Sequence, residues 1–248
     1  MRADRVEDAD GRPAAAADAC GTRGADGESD RTSLDRADTS DRTERAAEYR
    51  ATVENAYRAD AIDQGCARVE KIEDTIVTPA MRRIEAEDPH RHLAGFDNRL
   101  KEKDRLGEKV AFDMRKKGIS ADEAFANVKD AIRYTLCYPD DRYTEGVYAD
   151  CGRLVAEGFE LVERRNSWTH DEYKGINSRW RVPQNEQLFE VHFHTEASYQ
   201  AKESTHWAYE KLRVGAPPDK QDELIQYQRD VAARVPVPPG APDIPGYP

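Results

Sequence analysis

Residues 189–195 place a carboxylate and two imidazoles on one face of a predicted strand. In Phe189-Glu-Val-His-Phe-His-Thr195, side chains two residues apart share a face, so Glu190, His192 and His194 lie together opposite an apolar face. Two histidines can bind a metal, with Glu190 or His206 completing the site, and the carboxylate can instead hold magnesium or act as a base. The histidines can also be ordinary polar residues on a half-exposed face. A charge within so apolar a strand favours a functional role for Glu190.

A second candidate feature is a concentration of cations in a turn and the helix after it. They are Arg99, Lys101, Lys103, Arg105, Lys109, Arg115, Lys116 and Lys117. The spacing i, i+4, i+8 puts Lys101, Arg105 and Lys109 on one helix face. Such a face suits a polyphosphate, which Arg binds through paired hydrogen bonds and Lys through a point charge. The alternative is a solvated helix face whose neighbouring acids balance the cations.

A third feature is the pair Asp130 and Arg133 at the start of another predicted strand. Their odd spacing predicts side chains on opposite faces of that strand. Alone, the pair indicates no more than two charges at a strand edge.

Composition limits the classes of partner. The 248 residues include 49 acidic and 38 basic ones, for a formal net charge of −11, which disfavours attraction of nucleic acid or anionic lipid over the whole surface but permits a local basic site. No stretch approaches the roughly 18–20 apolar residues of a membrane span, and no apolar secretory signal begins the chain. We therefore expect a cytoplasmic protein without a membrane partner. The cysteines Cys20, Cys66, Cys137 and Cys151 have no CxxC spacing, which predicts free thiols rather than a disulfide framework or a zinc site.

The two ends of the chain differ from its middle. Residues 1–43 contain only Val6 and Leu34 as branched apolar residues, too few to offset chain entropy, so we expect a disordered arm. Residues 235–248 are rich in proline, which removes backbone donors and fixes φ, so we expect an extended tail. The globular part is then about 44–234.

Hydrophobic periodicity predicts an α+β domain in which helices flank a mixed β-sheet. Helices are expected at 44–59, 61–85, 143–157, 197–213 and 219–234, with a basic turn leading into a further helix within 96–117 and a short helix after Ser120. Strands are expected at 131–138, 159–165, 177–182 and 188–195. Pro79 is expected to kink or break the second helix. The expected divisions are N-terminal helices at 44–95, a central domain at 96–213 and a C-terminal helix at 214–234.

The order of these features resembles the synthetase domain of the RelA/SpoT family of alarmone synthetases, a nucleotidyltransferase-like fold, over roughly residues 97–213. The family's basic R-x-K turn is similar to Arg99, Lys101 and Lys109, and its acidic strand motif to Asp130 and Arg133. Arg165 stands where the family has a basic residue before its acceptor loop, and Tyr173 and Asn177 lie in a segment similar to that loop. The last strand is similar to Glu190-Val-His-Phe-His-Thr195, and His206-Trp-Ala-Tyr-Glu-Lys211 is similar to an ending of larger members.

The resemblance implies transfer of pyrophosphate from ATP to the 3′ hydroxyl of a purine nucleotide, GDP or GTP, with Mg²⁺ as cofactor. It implies phosphate contacts by Arg99, Lys101, Lys109 and Arg133, and a nucleotide site that includes Arg165, Asn177, His192 and His194. Asp130 and Glu190 would hold the magnesium, Glu190 would accept the hydroxyl proton, and Tyr173 would stack on the acceptor base.

Three other functions remain open from the sequence. A toxin-like member of the same fold would transfer pyrophosphate to the 3′ end of tRNA, although the negative net charge of the chain disfavours tRNA binding. A nucleotide-binding module without catalysis is supported by two departures from the family pattern, since Asp130 is three rather than five residues before Arg133 and Glu102 replaces a serine. A metal hydrolase built on His192, His194 and His206 is the third.

Overall fold

The structure, a computed structural model, describes the backbone from residue 29 to residue 248 and side chains from residue 44 onward. The chain divides into one unit that ends at Glu54 and a second unit, Asn55–Pro248. The predicted disordered arm lies mostly outside the described residues. Helix α1, Ser29–Ile72, begins within that predicted segment.

The chain from α1 to α2 (Thr78–Ala86) passes through a π-helical turn, Glu73–Val77. Pro79 does not break the helical run, because it lies in the first turn of α2. Its missing N–H cannot continue the regular hydrogen-bond ladder, and the ladder widens into the π turn just before it. The predicted helices at 44–59 and 61–85 are therefore helical throughout, but the irregularity falls at 73–77.

The sheet has five strands: β1 (His92–Ala94), β2 (Arg133–Tyr138), β3 (Glu160–Asn166), β4 (Ile176–Val182) and β5 (Gln187–Thr195). They lie in the order β1-β2-β5-β4-β3. Strands β2 and β5 pair in parallel, and every other pairing is antiparallel. This confirms the predicted mixed sheet. The sequence prediction missed β1, which is three residues long and lies at the edge.

The remaining α-helices are α3 (Lys103–Lys117), α4 (Ala121–Ala126), α5 (Tyr143–Ala156), α6 (Glu196–Arg213) and α7 (Pro218–Ala232). The predicted helix start at Ser120 is confirmed, since Ser120 and Glu123 form a reciprocal capping box at α4. Thr195 and Ser198 cap α6 in the same way, so β5 turns directly into that helix. The sheet and its helices confirm the predicted α+β class.

Alternation along the strands divides the sheet into an apolar face and a polar face. Tyr134, Leu136 and Phe189 belong to the apolar face and are at most 2% exposed. These large side chains form the core, which fixes the register because a one-residue slip would expose them. The opposite face carries the polar residues of the candidate site.

The prediction of an extended C-terminal tail is wrong, because residues 235–248 pack on the domain. Ala241 and Ile244 are 0% and 2% exposed. The Asn166 side chain donates hydrogen bonds of 2.8 Å to the carbonyls of both residues, and Arg164 and Tyr247 exchange backbone hydrogen bonds. Proline removes donors but not apolar surface or carbonyl acceptors, so the segment can cover the edge of β3.

No helix in the described part of the chain has the length and apolar character needed to cross a membrane.

Candidate active site

A row of alternating charges crosses the polar face of the sheet. Arg133 on β2 lies opposite Glu190 on β5, which lies opposite Arg179 on β4, which lies opposite Glu163 on β3. Directly opposed residues point to the same face. Arg133 Nε donates to Glu190 Oε2 at 3.0 Å, and Arg179 donates to Glu163. The row thus spans four strands, with one ion pair between β2 and β5 and another between β4 and β3.

A second row lies one step further along the strands. Thr135, His192, Asn177 and Arg165 are opposed in that order. His192 Nε2 lies 3.4 Å from Glu190 Oε2, which links the two rows. His192 Nδ1 is buried and has no hydrogen-bond partner among the described residues. Burial lowers the pKa of His192, although Glu190 opposes this shift, so the imidazole is neutral at neutral pH.

Asp130 is surrounded by three cations. Lys101 Nζ and Lys109 Nζ donate to its two carboxylate oxygens at 2.7 and 2.6 Å, and Arg133 Nη2 lies 3.6 Å away. Burial raises the pKa of Asp130, but the two lysine hydrogen bonds outweigh burial and hold it well below its usual range. The carboxylate is therefore ionised at neutral pH.

The expectation that Asp130 and Arg133 lie on opposite faces is wrong. Strand β2 begins only at Arg133, so Asp130 belongs to the bend before the strand, and strand alternation does not govern its direction. The two side chains converge instead, which brings Asp130 into the charged row.

The R-x-K turn is held against the start of β2 by backbone hydrogen bonds. Leu100 and Ile132 form an isolated antiparallel bridge. Arg133 N donates to Arg99 O at 2.7 Å, and Lys101 N donates to Ala131 O at 2.9 Å. This pairing brings Lys101 to Asp130 across 29 positions of sequence. Backbone geometry thus positions the cations that the sequence indicated.

Arg99 turns away from Asp130 toward a buried carboxylate. Its Nε donates at 2.7 Å to Oε1 of Glu73, whose side chain is 3% exposed, and its guanidinium lies 4.2 Å from the centre of the Phe96 ring. The same Glu73 oxygen accepts hydrogen bonds from Tyr134 Oη at 2.8 Å and from the Thr78 hydroxyl. The π-helical turn carries Glu73 into this position.

The Glu190 side chain on β5 contacts both Arg133 and His192. Burial raises its pKa, but the His192 and Arg133 contacts outweigh burial and lower it overall. The carboxylate is ionised at neutral pH although it is only 17% exposed. The Glu190 carboxylate can therefore bind a cation or accept a proton without a prior deprotonation step.

Tyr173, Asn177 and His194 form a hydrogen-bonded chain at the end of the polar face. Tyr173 Oη donates to Asn177 Oδ1 at 2.7 Å and lies 2.8 Å from His194 Nε2, and His194 Nδ1 lies 2.8 Å from Ser198 Oγ. Burial lowers the pKa of His194 far below its usual value, so this ring serves as a neutral positioning group for Tyr173.

Several predicted residues have no contact with Asp130 or Glu190 among the described ion pairs. The Arg165 side chain is 75% exposed and pairs with Glu163 at the β3 edge. Arg105 is 79% exposed and pairs with Glu102 rather than Asp130, so the predicted face of three cations is reduced to Lys101 and Lys109. The three histidines of the hydrolase alternative do not form a metal-capable group among the described residues.

The clefts of the described surface differ in whether residues of the candidate site line them. One of about 330 Å³ adjoins the R-x-K turn and is lined by Cys66, Glu70, Asp97, Arg99, Leu100, Lys101, Glu102, Lys103 and Leu106. A larger one of about 540 Å³ lies by Trp207 and Leu224, away from the charged row. We associate the candidate site with the smaller cleft because its wall includes Lys101, which donates to Asp130, and Arg99 from the same turn.

Sequence reasoning missed Arg179, Glu163 and Glu73. The predicted strands at 177–182 and 188–195 contained the signal for Arg179. When Val182 pairs with Gln187 across the turn between these strands, Arg179 lies opposite Glu190. The pairing of β3 with β4 then sets Glu163 opposite Arg179. Glu73 had no comparable signal, since its burial depends on a π turn that the sequence pattern does not mark.

The donor set of the site fits Mg²⁺, which prefers carboxylate oxygens and retains waters or substrate phosphates. Oxygen Oε2 of Glu190 is taken up by Arg133 and His192, whereas both oxygens of Asp130 accept from lysines. Glu190 is thus the better placed carboxylate, and a role for Asp130 requires its lysines to move to another anion.

Among solved structures, the chain is similar to small alarmone synthetases, the family that the motif order resembles. Small alarmone synthetase 1 from Bacillus subtilis, bound to its product pppGpp, is 16% identical over 66% of this chain and 87% of that chain, with a TM-score of 0.44. Small alarmone synthetase 2 from the same organism is 16% identical over 69% of this chain and 91% of its own, with a TM-score of 0.46. A GTP pyrophosphokinase family protein from Streptococcus pneumoniae is 15% identical over 73% and 88%, with a TM-score of 0.41.

No protein-family model matches the sequence, and no curated protein matches it. The function proposed below therefore rests on the residues of this chain.

Proposed function

We propose that the protein transfers pyrophosphate from ATP to the 3′ hydroxyl of a purine nucleotide, with GDP or GTP as acceptor. The observation that carries this proposal is the cluster in which Lys101, Lys109 and Arg133 surround Asp130, while Arg133 also holds Glu190. Several cations and two carboxylates gathered in one cluster are the groups that phosphoryl transfer requires. The motif order that resembles the RelA/SpoT synthetase domain supports the same chemistry.

The donor would place its phosphates among the cations at the mouth of the smaller cleft. Lys101 and Lys109 would exchange their bonds with Asp130 for bonds with phosphate oxygens, since Lys acts as a mobile point charge. Arg99 would contact the donor from a fixed position, because Glu73 and the Phe96 ring hold its guanidinium. These contacts would hold the β-phosphorus for attack.

In the transfer step, the 3′ oxygen of the acceptor forms a bond to the β-phosphorus of ATP, and the bond from that phosphorus to the α,β-bridging oxygen breaks. AMP leaves, and Glu190 accepts the hydroxyl proton, with Arg133 beside it to stabilise developing phosphate charge. When Mg²⁺ is bound, by Glu190 and with Asp130 as the second ligand, it supplies charge neutralisation at the phosphates.

The acceptor side of the site would be the second row and the Tyr173 chain. Tyr173 offers a ring whose hydroxyl is fixed by Asn177 and His194, which suits stacking on a base. The unpartnered Nδ1 of buried His192 supports a polar contact with the acceptor. Arg165 would reach this region only from the exposed edge of the sheet.

The test is a transfer assay on the purified full chain with γ-labelled ATP, Mg²⁺ and GDP, GTP, ATP or tRNA as acceptor. Label on a guanine nucleotide, with release of AMP, is the expected product. Label on tRNA would favour the toxin-like alternative, and ATP binding without transfer to any acceptor would favour the binding module and refute the proposal.

Glu190→Gln provides the residue-level test. Loss of a general base typically lowers a rate by about 10²–10⁴-fold, so we expect a loss in that range with the fold retained. Glu160→Gln is the matched control, because Glu160 is an exposed carboxylate on β3 that pairs with Arg181 at 3.6 Å, outside the charged row. Full activity of Glu190→Gln would remove Glu190 from the mechanism.

A further inference from the structure

A separate group of potential metal ligands lies at the other end of the polar face, on β1, β2 and α6. His92, Cys137 and Glu196 each offer one ligand atom, and the three atoms lie within 4.8 Å of one another. His92 and Cys137 are opposed across the β1–β2 pair, and Glu196 is the first residue of α6. It is the one such group of three that the described part of the chain contains.

We propose that His92, Cys137 and Glu196 bind a zinc ion. One imidazole nitrogen, one sulfur and one carboxylate oxygen form a donor set that zinc accepts, usually with four ligands in a tetrahedron. Sulfur and imidazole are poor ligands for magnesium, which prefers oxygen. This proposal does not depend on the proposed enzymatic function.

The geometry requires little movement to form such a site. At zinc bond lengths of roughly 2.0–2.3 Å, ligand atoms of a tetrahedron lie about 3.3–3.8 Å from one another. His92 Nε2 and Glu196 Oε1 are 3.1 Å apart, and their side chains are 55% and 59% exposed. The three ligand atoms lie within 4.8 Å of one another, so the two exposed side chains need to move by only about an ångström to reach tetrahedral spacing. Water can take the fourth position.

Burial distinguishes the cysteine from an incidental surface thiol. Cys137 is 0% exposed, its sulfur lies within 4.8 Å of the His92 and Glu196 ligand atoms, and the residue is held by the parallel pairing of β2 with β5. The sulfur thus lies at the base of a shallow site whose other two ligands reach in from solvent.

The site is distinct from the charged row. Cys137 lies four residues beyond Arg133 on β2, about 13 Å along the strand. A zinc ion there would connect edge strand β1, central strand β2 and the start of α6. It would act as a structural crosslink near Ser198, which positions His194. The sequence prediction of free thiols considered cysteine spacing alone, whereas this site takes one ligand from each of three elements.

The test is zinc titration of the metal-stripped full-length protein, followed by calorimetry and thermal unfolding. We expect one zinc per chain and a rise in Tm with zinc that His92→Ala removes. Loss of an outer-shell partner alone lowers metal affinity roughly 10–100-fold, so His92→Ala, Cys137→Ser and Glu196→Gln should each weaken zinc binding by about 100-fold or more. His90→Ala and Cys151→Ser are matched controls and should bind as the unaltered protein does.

Cobalt substitution identifies the ligands independently. Co²⁺ bound through Cys137 should show a thiolate-to-metal charge-transfer band that Cys137→Ser abolishes and Glu196→Gln retains at higher cobalt concentration. Because Cys137 is buried, its variant can fail to fold, but exposed His92 leaves the proposal testable. The proposal is overturned by absence of stoichiometric zinc binding, or by binding that His92→Ala leaves unchanged.

Discussion

Glu73→Gln tests whether a buried carboxylate positions Arg99. The variant keeps the shape of the side chain but removes its charge, so an amide replaces an oxygen that accepts from Arg99, Tyr134 and Thr78. A hydrogen bond to a charged group contributes roughly 1.5–3 kcal/mol. The Arg99 side chain is 27% exposed and regains some hydration when it is released. We therefore expect the free energy of unfolding to fall by about 2 kcal/mol.

Two measurements follow from that value. A loss of about 2 kcal/mol lowers Tm by roughly 4–8 °C in a domain of this size, measured by calorimetry. In the transfer assay, the KM for ATP should rise about tenfold, equivalent to about 1.4 kcal/mol of lost Arg99 contact, with kcat changed much less. The expected change in KM depends on the proposed function. The expected change in Tm does not.

Tyr134→Phe is the control that separates stability from positioning. It removes one donor to Glu73 but leaves the bond between Glu73 and Arg99, so stability should fall by about 1 kcal/mol while the KM for ATP stays unchanged. An equal rise in KM for both variants would refute the positioning role. An unchanged KM in folded Glu73→Gln would do the same.

Three further outcomes are expected. Gly175→Ala should lower stability by about 1–3 kcal/mol, because a Cβ there lies 2.7 Å from the His194 ring at φ +152°; Gly152→Ala, with nothing within 4 Å, should not destabilise, as thermal unfolding will show. Ile244→Ala should lose about 2–5 kcal/mol in urea unfolding, since that side chain is 2% exposed, whereas a loose tail predicts no change. The pKa of Asp130 lies below its unfolded value, so its stabilisation is present above about pH 4 and is lost as pH falls; Asp130→Asn should show less acid destabilisation between pH 5 and 3 by the same method.

Local patterns predicted the elements that carry the candidate site. Alternation in residues 189–195 set Glu190, His192 and His194 on one face, and β5 has that arrangement. The capping box at Ser120 likewise depends on residues three apart. Each of these features is determined within a few residues, where periodicity is informative.

Long-range pairing decided what the patterns could not. Asp130 meets Lys101 only because the R-x-K turn bridges to Ile132, and Glu73 meets Arg99 only through a π turn. The C-terminal segment shows the same limit, because its composition does not reveal that Asn166 donates to its carbonyls. Composition describes the local chain, whereas these contacts depend on tertiary packing.

The pairing also changes what the basic cluster means for phosphate binding. Arg99, Lys101, Lys109 and Arg133 supply four positive charges, but Glu73, Asp130 and Glu190 are bonded to them and supply three negative ones. Four minus three leaves a net charge of +1. Attraction of a polyphosphate over long distances is therefore modest, and the energy of binding under the proposed function must come from exchange of partners at contact. Lys101 and Lys109 can make that exchange because each is paired to the same partly exposed carboxylate, whereas Arg99, bonded to a buried one, cannot.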